Sequence, residues 1–494
     1  MKLARDNVFA QVVAFEAPAE RVWLVRVLTY NAHGRGPFKP PVRVFDEFNQ
    51  HFLAGLLPDV LKAAAADGVP VEVTDLRSPP PKPDPEADLS WLDEHQRASV
   101  AALHRFLRGI IKLPTGGGKT EVAVATMLLF GQVRFAFFAP REQLATQAAE
   151  RWAKRTDGAP CGLFLKGRRD LGHRVTFATF QAVGRGINDD AVKAWLESLG
   201  GFFADEAHTC AAQTFLPVLT RCTGARIRAG LSATPLDRTD ERAVFTLGAL
   251  GPVVHEIAPE ALVASGRIVA AKVTMLRMRQ YATTARDRAP GKLCPGCPSS
   301  GDEPCAADCT FADDAQEHYA NAYNELVVRS AARNSVLVAA TVAAEKPALV
   351  FVRERMHGAT LQRMLEAATG RDVPFVHGDT PGQKRTRIAA ELNDGVHPVV
   401  IAGMVWEAGV DVPALRTVVN AAAGQSAIRT AQVLGRAVRA DDGKAGCTVI
   451  DCTDDGEPVL RKHARAREKV YRRDGWTVEH ADPPPVAPLA TPRS

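Results

Sequence analysis

The sequence predicts an α/β protein built from two successive parallel-sheet lobes. Three observations carry that expectation. Short, continuously apolar segments alternate with helix-forming stretches, a glycine-rich turn joins one such segment to a helix, and the alternation restarts near Lys346. The boundaries read as an N-terminal α/β accessory domain over 1–77, a Pro-rich linker over 78–90 and a first lobe over 91–255. An inter-lobe segment with a four-cysteine insertion follows over 256–330, then a second lobe over 331–476 and a disordered tail over 477–494.

In the first domain, Val22 to Leu28 reads as one of several short β-rich runs and Phe52 to Asp67 as an apolar helical run. The loop from His33 to Arg43 is basic with one aromatic, Phe38, which suits either a solvated loop or a contact with a nucleic-acid backbone. Ser78 to Glu86 is rich in proline, cannot donate a regular ladder of hydrogen bonds, and reads as an extended spacer.

After the spacer, Leu92 to Leu103 reads as a helix with Gln96 near its start. The turn Pro114-Thr115-Gly116-Gly117-Gly118-Lys119-Thr120 then leads into a second helix. Glycines let backbone N–H groups wrap an anion at the positive end of a helix. Lys119 would neutralise terminal phosphates, and Thr120 would place its hydroxyl on a magnesium ion held by the nucleotide. The strict phosphate-loop pattern has glycine where this chain has Leu113. Val133 to Ala139, Val175 to Phe180, Gly201 to Ala204 and Ile227 to Pro235 read as strands, with a helix over Glu142 to Trp152. Asp205-Glu206-Ala207-His208 follows an apolar strand, so its carboxylates should emerge on the rim that carries the phosphate loop. Asp205 suits the magnesium shell, and Glu206 suits orienting and deprotonating the attacking water.

The second lobe repeats the pattern with strands at Ala348 to Val352, Val373 to His377, Val399 to Ala402, Thr417 to Asn420 and Cys447 to Asp451. Gln432, Arg436 and Arg439 are spaced four and three apart, which places them on one helix face. From there Arg436 and Arg439 would stabilise charge on a transferring γ-phosphoryl group. Cys294, Cys297, Cys305 and Cys309 form a C-x2-C and a C-x3-C pair that can close a structural zinc site. Free thiols, a redox pair or an iron–sulfur cluster are the alternatives. Val459 to Arg473 is a basic helical stretch suited equally to a solvated or a nucleic-acid face.

Composition narrows the class. With 494 residues, 46% hydrophobic and 24% charged, the chain can bury a large core, and a net charge of +5 requires any nucleic-acid surface to be local. No stretch of about 18 apolar residues and no signal-like N-terminus is present, so the expectation is a cytoplasmic protein without a membrane partner. The five remaining cysteines, scattered in apolar contexts, fit reduced thiols.

These motifs together resemble superfamily 2 helicases, from about Leu92 to Arg439. Leu92 to Gln96 is similar to the adenine-sensing glutamine motif, Leu113 to Thr120 to motif I, Ala139 to Leu144 to motif Ia and Ala178 to Gln181 to motif Ic. Asp205 to His208 resembles the DEAH form of motif II, and Leu231 to Pro235 resembles motif III. Val350 to Val352 is similar to motif IV, Ile401 to Pro413 to motif V, and Gln432 to Arg439 to motif VI. Gly403 stands where many members have threonine. The cadence around Leu231 to Asp240, with the accessory domain, resembles the XPB-type or phage UvsW-type branch.

The resemblance implies two RecA-like lobes and an ATP-dependent helicase or translocase moving along DNA, 3′ to 5′. ATP and Mg2+ would be held through Gln96, Thr115, Gly116, Gly117, Gly118, Lys119, Thr120, Asp205, His208 and Asp411. Gln432, Arg436 and Arg439 would be recruited from the second lobe when the cleft closes. Arg141, Thr179 and Gln181, with residues around His377 to Asp379, would meet single-stranded or forked DNA, and Ser232 and Thr234 would couple the two events. An RNA helicase, or an ATPase switch that unwinds nothing, are the competing expectations.

Overall fold

The computed structural model describes residues 1–30, 41–212, 214–236, 242–278, 319–404, 412–424, 441, 443–455 and 457–485, in two compact units, Met1–Ile257 and Ala258–Ser494. The four clustered cysteines, Asp411, Gln432, Arg436, Arg439 and most of the His33–Arg43 loop lie outside the described residues.

The first unit opens with a four-stranded sheet in the order His51–Leu53, Phe9–Ala14, Lys2–Arg5, Glu72–Asp75. The run from Val22 to Leu28, expected as strand, is helical: Pro18–Val27 forms a helix with proline at its start. Glu20, Leu24 and Leu28 are buried at intervals of four, while Val22 faces solvent, so the apolar run follows the helical period and not an alternating one. Pro18 presets φ for the first turn, and the Glu20 carboxylate there accepts from the Met1 ammonium at 2.9 Å. The second helical run starts later than its apolar residues suggest, at Leu57–Asp67, because His51–Leu53 is an edge strand.

The first lobe is an eight-stranded sheet in the order Arg168–Arg169, Gly162–Leu165, Val175–Thr179, Phe135–Ala139, Gly201–Asp205, Ile227–Ser232, Arg108–Lys112, Val253–Glu256. All neighbours run parallel except the Arg168–Arg169 hairpin strand. Side chains alternate across it. Phe135 and Phe137 join one core layer with Val122, Ala145 and Trp152, and Ala136 and Phe138 join the other with Phe180, Trp195 and Val218. Both faces are therefore covered, which accounts for the continuous apolar runs. The accessory domain shares its core with Val244 of the Ala243–Leu250 helix, where a Cβ at Gly55 or Gly248 would overlap its neighbours.

The second unit carries a seven-stranded parallel sheet in the order Phe375–Val376, Val399–Ala402, Ala348–Phe351, Thr417–Asn420, Gly446–Cys452, Ala270–Leu276, Thr477–Ala481. Ala270–Leu276 comes from the stretch expected between the lobes and Thr477–Ala481 from the expected tail. Both lie at the end of the sheet, where half-exposed strands lack a continuous apolar signal. Among the described residues no single helix is long and apolar enough to cross a membrane.

The basic stretch near the C-terminus is a core helix, Pro458–Arg473, not a wholly solvated or nucleic-acid-facing one. Leu460, His463, Ala464, Arg467, Val470 and Tyr471 are buried. Arg467 donates to both oxygens of the equally buried Asp451 at 2.8 and 2.9 Å, and the Tyr471 hydroxyl and Asn420 amide donate to the same carboxylate at 2.5 and 3.1 Å. Burial alone would raise the Asp451 carboxyl, but Arg467, the Tyr471 hydroxyl and the Cys452 N–H hold it below the usual range. A second buried pair, Arg333 with Asp454 at 2.9 Å, lies alongside. Removing one member of such a pair strands a charge. Arg467→Met is therefore expected to remove ~3–5 kcal/mol from the second unit's unfolding free energy in a urea titration, and a loss below ~1 kcal/mol would show that the pair contributes little.

Candidate active site

The C-terminal rim of the first sheet gathers the motif residues in a fixed spatial order. Reading across it come the loops after Val175–Thr179, Phe135–Ala139, Gly201–Asp205, Ile227–Ser232 and Arg108–Lys112. With neighbours about 4.8 Å apart, the set spans roughly 19 Å. Thr179 and Gln181 belong to the first loop, Arg141 to the second, Asp205, Glu206 and His208 to the third, Ser232 and Thr234 to the fourth, and Leu113 to Lys119 to the fifth.

The phosphate loop grows directly out of its strand. The Leu113 N–H donates to the Ser232 carbonyl at 3.1 Å and its side chain is fully buried, so this position extends the ladder and fills the core, and glycine is not needed there. Gly116 and Gly118 take positive φ of 89° and 82°, and Gly118 is the N-cap of the Lys119–Leu129 helix. Lys119 and Thr120 are thus the first helical residues, with free N–H groups and the helix dipole directed at the loop.

Gln96 backs this turn. Its Oε1 accepts from the Asp93 N–H at 3.2 Å, while its Nε2 occupies the space that a Cβ at Gly118 would need. His95 Nε2 lies 3.3 Å from the Gly117 carbonyl. Gln96 here braces the loop and starts its own helix. The helix after the loop is fixed through Glu121, which receives Arg151 at 2.9 Å and Arg155 at 3.0 and 3.1 Å, with Arg155 stacked 4.2 Å over Trp91. Sequence reading did not single out Glu121; the signal was two arginines four apart on the facing helix.

Asp205 ends its strand, nearly buried, and its carboxyl is pushed up to about 7 by burial and by the adjacent Glu206, against the opposing pull of Lys119. A buried acid held this far up favours either a proton or a cation. Its carboxylate and the Thr120 hydroxyl at the helix start are oxygen donors of the hard type that magnesium takes. Glu206 has φ 49° and ψ 57°, the left-handed conformation that non-glycine residues avoid at a cost of about 1–3 kcal/mol. His208 Nδ1 lies 3.4 Å from Glu206 Oε2 and 3.5 Å from Ser232 Oγ, and Ser232 Oγ accepts from the Thr234 N–H at 3.1 Å. The third and fourth loops are thereby linked through one imidazole.

Toward the other end, the Thr179 hydroxyl is buried and accepts from the Ala182 N–H at 3.3 Å, capping its helix. Gln181 Nε2 donates to the Pro140 carbonyl at 2.8 Å, and Arg141 is the exposed N-cap of Glu142–Arg155. Thr179 and Gln181 thus shape neighbouring loops, and Arg141 is exposed. In the second unit, Asp379 pairs with Arg355 at 2.8 Å. The run entering Gln425 is held by three buried donors: Arg333 Nη1 to the Ala421 carbonyl at 3.1 Å, the Tyr323 hydroxyl to Ala422 at 2.7 Å and Arg467 Nη1 to Gly424 at 3.1 Å.

Two outcomes follow. Gly118→Ala, strained by its positive φ and overlapping Gln96, is expected to lower ATP turnover at least tenfold, roughly the effect of 1.4 kcal/mol, with far-UV circular dichroism unchanged. A carboxyl raised in the folded state stabilises the fold fully below its unfolded pKa of about 4 and loses that contribution as pH rises through about 7. The nucleotide-free protein should therefore lose stability across that window, and Asp205→Asn should flatten the profile of unfolding midpoint against pH.

The family model described as type III restriction enzyme, res subunit, matches residues 84–237, and the helicase conserved C-terminal domain matches 331–441. DNA 3′-5′ translocase XPB2 of Sulfurisphaera tokodaii is 25% identical over 395 residues, 76% of this chain and 84% of that protein. Rad25 of Halobacterium salinarum is 27% identical over 79% of this chain, which spans only 57% of that relative. Saccharomyces cerevisiae Dbp5, solved with RNA and ADP–BeF3, shares the fold at a TM-score of 0.51 and 15% identity, covering 86% of this chain and 93% of that one. With the two family regions matched in order and the motif loops assembled on one rim, the chain is an ATP-hydrolysing superfamily 2 helicase.

Proposed function

We propose that this protein is a DNA motor that couples ATP hydrolysis to movement in the 3′ to 5′ direction, on single-stranded or forked DNA. The carrying observation is the rim order, which places the His208–Ser232 link between the phosphate loop and the exposed Arg141. The XPB2 relative, named as a DNA 3′-5′ translocase, supports the substrate and direction.

In this reading the N–H groups of Thr115 to Lys119 cradle the phosphates, and Thr120 and Asp205 hold magnesium, which shields phosphate charge when bound. Glu206 orients the attacking water and accepts its proton. His208, touching both Glu206 and Ser232, reports the state of the hydrolytic carboxylate to the motif III loop. Asp411 on the nucleotide, and Gln432, Arg436 and Arg439 on the γ-phosphate, are proposed from their motif positions. Arg141 supplies a sequence-independent, salt-sensitive contact with the backbone of DNA, beside Thr179 and Gln181. Cys294, Cys297, Cys305 and Cys309 are proposed to hold structural zinc by their spacing.

ATPase activity should rise on adding single-stranded or forked DNA more than on adding RNA, and Glu206→Gln should reduce the stimulated kcat by about 10²–10⁴ while leaving ATP affinity in place. Equal stimulation by RNA would remove the DNA assignment, and an unchanged rate in the variant would remove Glu206. Elemental analysis of purified protein should find one zinc per chain, absent from Cys297→Ser.

A further inference from the structure

At the opposite edge of the first sheet lies a basic cluster that the motor does not use. Arg108 and Arg228 are register partners at the N-terminal ends of adjacent strands, with Arg226 just before them. The accessory domain brings Arg5 to the end of Lys2–Arg5, paired in register with Asp75, and Arg77 two residues beyond. Asn7 ties the two parts together: its side chain donates to the Thr223 carbonyl at 3.0 Å, and its own carbonyl accepts from Arg108. Five guanidiniums thus share one seam.

The counter-charges are already engaged. Asp75 accepts both hydrogen bonds of Arg77, and Asp6 accepts the Val8 and Phe9 N–H groups at 2.6 and 2.7 Å. Arg228 is satisfied by the carbonyls of Ala249, Cys222 and Leu219 at 3.1, 3.0 and 2.6 Å. Arg108 Nη1, Arg5 Nε and Arg226 Nε are buried and have no hydrogen-bond partner among the described residues. Arg108 is itself 9% exposed, whereas Arg5, Arg77 and Arg226 are only half-buried, so the seam opens toward solvent on their side. Burial and mutual repulsion hold the Arg5 and Arg108 guanidiniums below their usual pKa. Several like charges with orphaned donors call for an oxyanion, and guanidiniums match a phosphate in shape as well as charge.

We propose that Arg5, Arg77 and Arg226, backed by Arg108, form a second binding site for a phosphate group at the seam between the accessory domain and the first lobe, taking either free phosphate or a phosphodiester of DNA. The site stands apart from the ATPase machinery and does not depend on the DNA-motor reading. The test uses the full chain, with Arg5→Gln, Arg226→Gln and the charge-keeping Arg226→Lys. Sodium phosphate at about ten times its Kd, against sodium chloride at matched ionic strength, should raise the wild-type melting temperature by roughly 2 °C. The Gln variants should not show that rise and should melt no lower than wild type in chloride, because repulsion is relieved, while the Lys variant should keep it. If the phosphate belongs to DNA, the slope of log K against log salt for duplex binding should also fall by about 0.9 for each phosphate that a variant no longer neutralises; an unchanged slope with the phosphate response present assigns the site to the free anion. No phosphate response in wild type together with the same salt slope in all variants would overturn the site. DNA-stimulated ATPase, measured alongside, fails or survives separately.

Discussion

The arrangement of this protein depends on the position of one strand, Ile227–Ser232, which pairs in parallel with Gly201–Asp205 on one side and Arg108–Lys112 on the other. That pairing fixes which loops are neighbours. The Ser232 carbonyl accepts from Leu113, so the phosphate loop begins in register with motif III, while the Ser232 hydroxyl faces His208 of motif II. A one-residue slip would turn every strand side chain to the other core layer. The two layers, one around Phe135 and Phe137 and the other around Phe138 and Phe202, are large enough to forbid it. Precision at the rim is thus inherited from packing beneath it.

Buried charge is handled in three ways. Asp451 is fully paired with Arg467, Tyr471 and Asn420 and belongs to the fold. Asp205 is also largely desolvated but has a carboxylate neighbour and only the partial help of Lys119 and one backbone N–H, so its environment favours taking up a cation. Three of the seam arginines, Arg5, Arg108 and Arg226, present the reverse case, each with one buried donor that has no acceptor among the described residues. The contrast separates structure from function better than burial alone, since a charge satisfied by its own chain has nothing left to offer a ligand.

Much of the first lobe was legible because strands buried on both faces must be short and apolar and must end in turns. Val175–Thr179, Gly201–Asp205 and Ile227–Ser232 stand almost where their residues put them. The phosphate loop and the acidic loop were legible for the same reason, because their chemistry needs fixed residue types at a strand end. What escaped was set by distant partners. Val22–Leu28 has β-forming residues but is helical because its buried positions repeat every four. Ala270–Leu276 finds its sheet partner at Gly446–Cys452, far along the chain. The Pro458–Arg473 helix looks solvated until Asp451 is seen opposite Arg467. The engagement of Thr179 and Gln96 in local capping bonds was likewise invisible, because motif spacing identifies a residue without showing where its hydrogen bonds go.

Conversion of ATP turnover into directed movement on DNA, through the order of loops on the rim, is tested most directly by displacement of streptavidin from single-stranded DNA biotinylated at one end. A 3′ to 5′ motor gives ATP-dependent release from the 5′ end and little from the 3′ end, and that is the predicted result. ATP hydrolysis with release from neither end, or release from the 3′ end alone, would contradict it.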